Sequence, residues 1–139
     1  MKEEKTLLPE EVAEAYARAW NNLDIACFED MMSKKVSYLS QNVIQEIETR
    51  ACVMMYLADL MKSAASSPDK RIFAEMGLTM PYDMYPKGGE PCVIMAQGDK
   101  DHIVGLVLFE IKHNEVSRIE FCTFVPDPKT AHRSGKYPE

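Results

Sequence analysis

Three consecutive runs of strand-forming residues, joined by two short polar turns, constrain the fold of this chain more than any other feature. The runs cover residues 92–97, 102–112 and 116–125, and the turns between them contain Gly98 and Asn114. This pattern predicts an antiparallel meander of three strands. The middle run is apolar on both faces, so we expect a central strand with further residues packed on each side.

The first half of the chain predicts the helices that cover this sheet. Pro9 and the two acids after it suit the first turn of a helix. An apolar stripe that includes Tyr16 and Trp20 then recurs at spacings of three and four residues. Asp24 is expected to cap a short second helix, and Thr49 is expected to cap a third.

Further strands are predicted on either side of that third helix. Residues 33–35 are expected to close the second helix, residues 36–41 to form a first strand and residues 43–48 a short return strand. Residues 71–80 alternate again between apolar and polar side chains, which predicts another long strand. Residues 81–91 contain three prolines and two glycines, which predicts an exposed loop.

Length and charge bound the class of protein. A chain of 139 residues fits one domain, expected over residues 1–128, followed by a polar and mobile tail over residues 129–139. A net charge of −6 without a basic stripe argues against nucleic acid as a partner. The longest apolar run is too short for a membrane helix, and the N-terminus lacks the apolar core of a signal peptide. The sequence therefore predicts a cytoplasmic protein that does not bind membranes.

The cysteines and histidines predict no metal centre. No Cys-x-x-Cys pair occurs, and no histidine combines with Cys, Asp or Glu at the spacing of metal ligands. We therefore expect neither a metal nor another cofactor. The cysteines stand singly in apolar patterns, which is typical of buried free thiols. They are Cys27, Cys52, Cys92 and Cys122.

The order of the elements resembles a known superfamily. The predicted order is helix, helix, strand, helix and then four long strands. This order is similar to that of the nuclear transport factor 2-like (NTF2-like) superfamily, which includes SnoaL-like cyclases and ketosteroid isomerases. The best local match is AYARAWNNLDIACFEDMMSKKVSY at residues 15–38, which resembles the family's first helix, Asn-x-x-Asp turn, short helix and first strand. A second match places Thr49, Val53 and Tyr56 where the family often has a glycine, an aliphatic residue and an aromatic residue.

The resemblance implies an α+β cystatin-like cone. In this fold a curved, mixed and mostly antiparallel sheet wraps around N-terminal helices and leaves a pocket open between them. Ketosteroid isomerases use a tyrosine of the first helix to stabilise an oxyanion, and Tyr16 matches that position. They also need an Asp base and a protonated Asp, but residues 36–41 contain no carboxylate and the second position falls near Val107. A carbon acid is not deprotonated at a useful rate without a positioned base, so we exclude that activity.

Four aromatic residues are the candidate ligand-binding residues: Tyr16, Trp20, Tyr38 and Tyr56. Tyr16 is the strongest single candidate for a hydrogen bond to a ligand. Each of the four has a plainer alternative as a core residue with a satisfied polar tip. We expect a SnoaL-like pocket for a small apolar molecule, with the ligand and any reaction left open. The alternative function is a non-catalytic dimerisation or protein-interaction module whose cavity is filled by methionine and aromatic side chains.

A homodimer through the outer face of the sheet is also expected. Residues 103–111 are apolar on both faces, and Phe73 and Cys122 are predicted to face outward. A sheet covered on one side only would expose an apolar patch that monomers seldom tolerate, and dimers are common in the superfamily. Glu75, on the same outward face, is expected to be solvated or to lie at the dimer face.

Overall fold

The computed structural model describes residues 6–80 and 89–139. Within them, two α-helices and three short 3-10 helices accompany one mixed sheet, whose seven strands follow the order β2–β1–β6–β5–β4–β3–β7. The strands are β1 Met32–Ser40, β2 Val43–Glu48, β3 Ile72–Leu78, β4 Pro91–Gln97, β5 Ile103–Lys112, β6 Glu115–Cys122 and β7 His132–Arg133.

The helices begin at the caps that the sequence predicts. α1 spans Pro9–Asn22 and α2 spans Arg50–Ala64. The Thr49 hydroxyl accepts the backbone N–H of the third residue after it, which satisfies one of the free donors at the start of α2. The Asp24 side chain caps the 3-10 helix Ile25–Met31 in the same way. No helix among the described residues combines the length and hydropathy that crossing a bilayer requires.

The predicted meander is confirmed as β4, β5 and β6, which pair antiparallel in that order. β5 lies inside the sheet, and its neighbouring residues Leu106 and Val107 are both fully buried although they point to opposite faces. β1 lies parallel to β6, which makes the sheet mixed. The sheet remains open, and the predicted α+β cone with a mostly antiparallel sheet is confirmed.

Two strand boundaries lie three or more residues from those predicted. β1 begins at Met32, so residues 33–35 belong to the strand and do not close the preceding helix. β6 ends at Cys122 and does not reach residue 125. The Gln41 side-chain oxygen accepts hydrogen bonds from the backbone N–H groups of residues 123–125 at 2.7, 2.7 and 3.3 Å. Beyond Cys122 these side-chain hydrogen bonds replace the backbone pairing of the sheet. The loop predicted over residues 81–91 lies mostly outside the described residues.

Apolar side chains pack on both faces of the sheet. The main core lies between the helices and the sheet and contains Tyr16, Phe28 and Leu57. The outer face has a smaller cluster, in which Leu106 packs with Ala131 from the segment after β6. The chain itself thus covers part of the face that the sequence analysis assigned to a dimer partner. The homodimer stays a prediction.

The buried thiols are fewer than the sequence predicted. Cys92 and Cys122 are buried in the outer cluster, but Cys27 and Cys52 are exposed. The expectation of burial was wrong for this second pair because each lies in the first turn of its helix, on the side that faces solvent. All four are free thiols.

The C-terminal tail, expected to be mobile, packs along the outer edge of β3. β7 pairs with the last two residues of β3. The Met76 N–H donates to the Lys136 carbonyl oxygen at 2.9 Å. Asn21, at the end of α1, bonds both the N–H and the carbonyl oxygen of Ala74 at 2.8 Å. The chain therefore satisfies the outward backbone groups of its own edge strand.

This tail also buries Glu75, which is 2% exposed. Its Oε1 accepts hydrogen bonds from Arg133 Nε at 2.8 Å and from the Tyr137 hydroxyl at 3.1 Å. Its Oε2 accepts the Gly135 N–H at 2.7 Å. Arg133 also donates to the exposed carboxylate of Asp101 at 3.0 Å. The expectation of a solvated Glu75 was wrong because its partners lie 58 to 62 positions further along the chain.

Candidate functional site

A cavity of about 400 Å³ opens between both helices and the inner face of the sheet. It lies where β1, β4, β6, α1 and α2 end and where β3 and β5 begin, so residues from distant parts of the chain meet there. The lining combines a larger apolar area with a few polar side chains. The lining residues are Trp20, Tyr38, Ser40, Asn42, Val43, Tyr56, Leu60, Ser63, Ala64, Lys70, Ile72, Met95, Gln97, Val104 and Phe121.

Three of the four aromatic candidates lie together in this wall. Trp20 comes from α1, Tyr38 from β1 and Tyr56 from α2. The rings of Tyr38 and Tyr56 are 5.3 Å apart between centroids and tilted by 52°. Trp20 and Tyr38 are each only 5% exposed. The cavity wall is therefore largely aromatic, with polar atoms carried on otherwise apolar rings.

Tyr16 lies in the core behind this wall and does not line the cavity. It is 1% exposed and makes edge-to-face contacts with Phe28 and Phe109, each at 5.2 Å between ring centroids. Its spacing of one helical turn from Trp20 places both side chains on the same face of α1, as the sequence suggested. The sequence did not show which end of that face the sheet leaves open.

The buried polar atoms in the cavity wall and directly behind it are hydrogen-bond donors. Burial holds the pKa of Tyr38 above its usual range, and the nearby phenols of Tyr16 and Tyr56 raise it further. Burial also raises the pKa of Tyr16, and the approach of the Trp20 indole N–H partly offsets that effect. The approach does not reach hydrogen-bond geometry, so Trp20 Nε1 has no partner within the described structure. At neutral pH these groups keep their protons and act as hydrogen-bond donors.

The wall of the cavity contains few other ionisable side chains. Among the described residues, no Asp, Glu or His lines the cavity, and Lys70 is the one lysine or arginine that does. The same residues contain no group of three or more His, Cys, Asp or Glu that would hold a metal ion. The arrangement can bind and polarise a carbonyl or similar acceptor, whereas the described wall offers no carboxylate or imidazole to act as a general base.

Comparison with known proteins identifies solved structures of similar architecture. No protein-family model and no curated protein matches the sequence. A SnoaL-like protein of unknown function from Burkholderia thailandensis is 14% identical and matches over 94% of this chain and 100% of its own, with a TM-score of 0.55. A candidate polyketide cyclase from Sinorhizobium meliloti is 15% identical over 82% and 94%, with a TM-score of 0.56. The chain has the NTF2-like fold.

A third solved structure agrees with this assignment. A candidate ketosteroid isomerase from Kribbella flavida is 16% identical over 84% of this chain and 77% of its own, with a TM-score of 0.54. At such identities the likeness extends to the fold. The resemblance predicted from element order is confirmed at that level.

Within this fold, sequence reasoning missed the polar residues of the cavity. Ser40 could have been predicted from the sequence, because it lies two positions after Tyr38 on one strand and so faces the same side. Ser63 could also have been predicted, because it follows Tyr56 by seven positions and so lies on the same face of α2. Lys70 had no signal in its neighbourhood, since its place depends on how a short 3-10 turn packs against β4.

Proposed function

We propose that this protein binds a small, largely apolar molecule in the cavity lined by Trp20, Tyr38 and Tyr56. The observation that carries the proposal is the aromatic wall itself, because three rings from α1, β1 and α2 surround an open volume without filling it. Such a wall offers a ligand a large apolar contact area, with polar tips that can form hydrogen bonds to it.

The size of the cavity supports the same function. Its volume of about 400 Å³ falls within the range of roughly 300–1,000 Å³ that small-molecule sites occupy. The described wall presents protonated donors without a carboxylate or imidazole, which favours binding over proton abstraction from carbon. The similar structures include candidate enzymes that act on small organic molecules, and this likeness supports a small-molecule function without naming a ligand.

The interaction-module alternative requires a filled cavity, and the structure does not favour it. Methionine and aromatic side chains were expected to fill the space, and the chain contains ten methionines. Of these, Met95 is the one that lines the cavity among the described residues. The aromatic rings form the wall and leave the volume open.

The single tryptophan of the chain supplies a direct test. Trp20 lines the cavity, so a bound fluorophore that absorbs at its emission wavelength will quench it by energy transfer. We expect the neutral dye N-phenylnaphthylamine to quench Trp20 saturably. Native mass spectrometry of the gently purified protein provides a second readout, in which a bound molecule appears as a discrete added mass.

A matched pair of variants locates the binding. Ser63 and Ala58 are both exposed on α2, but only Ser63 lines the cavity. Ser63→Phe should therefore weaken dye binding, whereas Ala58→Phe should leave it unchanged. Equal effects of the two variants, or no saturable quenching of the wild type, would contradict the proposed site.

A further inference from the structure

We propose that the ligand is an amphipathic organic acid, whose anionic group is held at the cavity mouth by Lys70. This inference rests on the proposed binding function and goes further by assigning the class of ligand. Such a molecule has an apolar skeleton, which the aromatic wall accommodates, and a carboxylate or similar anion at one end. The argument comes from the charge of the wall, the position of Lys70 and the gradient of polarity along the cavity.

The wall carries positive charge in a protein that is acidic overall. The chain has 22 acidic residues and a net charge of −6. Even so, the described lining residues include no carboxylate, and Lys70 is the one cation among them. Lys70 also forms no ion pair within the described part of the chain. An ammonium beside an apolar cavity, without a carboxylate to neutralise it, favours an anion there.

Contacts with the end of β4 hold the backbone of the turn that carries Lys70. Its carbonyl oxygen accepts a bond from Gln97 Nε2 at 3.5 Å, and the Gly98 N–H donates to the Arg71 carbonyl oxygen at 2.8 Å. Gly98 has a φ of +78°, and a Cβ there would lie 3.0 Å from the Asp69 carbonyl oxygen. The turn that carries Lys70 is thus packed against the end of β4 and cannot move away without breaking these contacts.

Polarity increases from the inner end of the cavity toward its mouth. Trp20, Tyr38 and Met95 are 3–5% exposed and form the inner wall. Lys70 and Ser63 are exposed lining residues, so they lie at the open side. An amphipathic acid matches this gradient of polarity in only one orientation. Its apolar part lies inward, and its anion lies where an ammonium and a hydroxyl can both donate to it.

Two dyes of similar skeleton separate the anion from the apolar part. Anilinonaphthalene sulfonate carries an anionic group that N-phenylnaphthylamine lacks, and both accept energy from Trp20. We expect Lys70→Gln to weaken binding of the sulfonate dye roughly two- to fivefold, because the ammonium is exposed. Binding of the neutral dye should not change, which also shows that the variant is folded. Added salt should weaken sulfonate binding to the wild type and have much less effect on Lys70→Gln.

The control is Lys34→Gln, because Lys34 is exposed on β1 and does not line the cavity. It should leave the affinity ratio of the two dyes at the wild-type value. The inference is overturned if Lys70→Gln also leaves that ratio unchanged, if Lys34→Gln lowers it equally, or if the neutral dye alone binds. Those results leave the proposed binding function standing. Failure of both dyes to bind the wild type removes the binding function and this inference together.

Discussion

Glu75→Gln tests how the C-terminal tail is held on the sheet. In the wild type the buried carboxylate accepts hydrogen bonds from Arg133, Tyr137 and Gly135. Glutamine has the same shape, but one of its two terminal atoms becomes an NH₂ donor. Whichever way the amide turns, this donor faces another donor, either the Gly135 N–H or the Arg133 guanidinium. The substitution therefore removes an ion pair and leaves a buried donor unpaired.

The expected loss of stability follows from these two effects. A buried donor without a partner costs about 1–3 kcal/mol. The Arg133 side chain is 35% exposed, so the lost ion pair adds no more than about 0.5–1 kcal/mol. We expect the free energy of unfolding to fall by about 1.5–4 kcal/mol, which lowers Tm by roughly 5–15 °C for a domain of this size. Urea unfolding and a thermal melt measure both quantities.

Asp101→Asn is the matched control, because Asp101 accepts a hydrogen bond from the same arginine. Its side chain is 85% exposed, so water replaces the lost interaction and the cost should stay within about 0.5 kcal/mol. Equal losses from the two substitutions would show that burial of Glu75 does not set its contribution. A loss below about 0.5 kcal/mol for Glu75→Gln would refute the reasoning altogether.

Three further predictions concern the thiols, the core tyrosine and assembly. The exposed Cys27 and Cys52 should react first with a thiol reagent, whereas burial raises the pKa of Cys92 and Cys122 to about 12, so these should react only on unfolding; equal labelling rates would contradict this. Tyr16→Phe should leave dye binding nearly unchanged, since the residue lies behind the wall, and a tenfold loss would place its hydroxyl against the ligand. Light scattering at tens of micromolar should detect the predicted homodimer, and a mass near 15.8 kDa would exclude it.

The sequence predicted those elements whose determinants are local. The caps at Asp24 and Thr49 needed only a side-chain oxygen two or three residues before a free N–H. The meander needed runs of strand-forming residues and turn residues, both of which are visible within a few positions. The parallel pairing of β1 with β6 joins residues about 80 positions apart, and nothing in either segment indicates it apart from the resemblance in element order.

The candidate site was predictable only in part for the same reason. Trp20, Tyr38 and Tyr56 lie in elements whose inner faces follow from periodicity, and they reach the cavity wall. The position of Tyr16 behind that wall depends on where the sheet stays open, which no helical pattern reports. Lys70 depends on the contact of a three-residue turn with β4. Such placements are tertiary, so local propensity does not encode them.

The contacts along the outer edge of β3 protect this protein from aggregation. A carboxypeptidase that removed residues 132–139 would free both backbone groups of Met76, the outward groups of residues 77–78 and the Glu75 carboxylate together. The outward groups of this part of β3 would then be a template on which a strand from another molecule can pair. Trimming the last eight residues would thus convert a protected margin into a nucleus for aggregation while leaving the cavity residues in place.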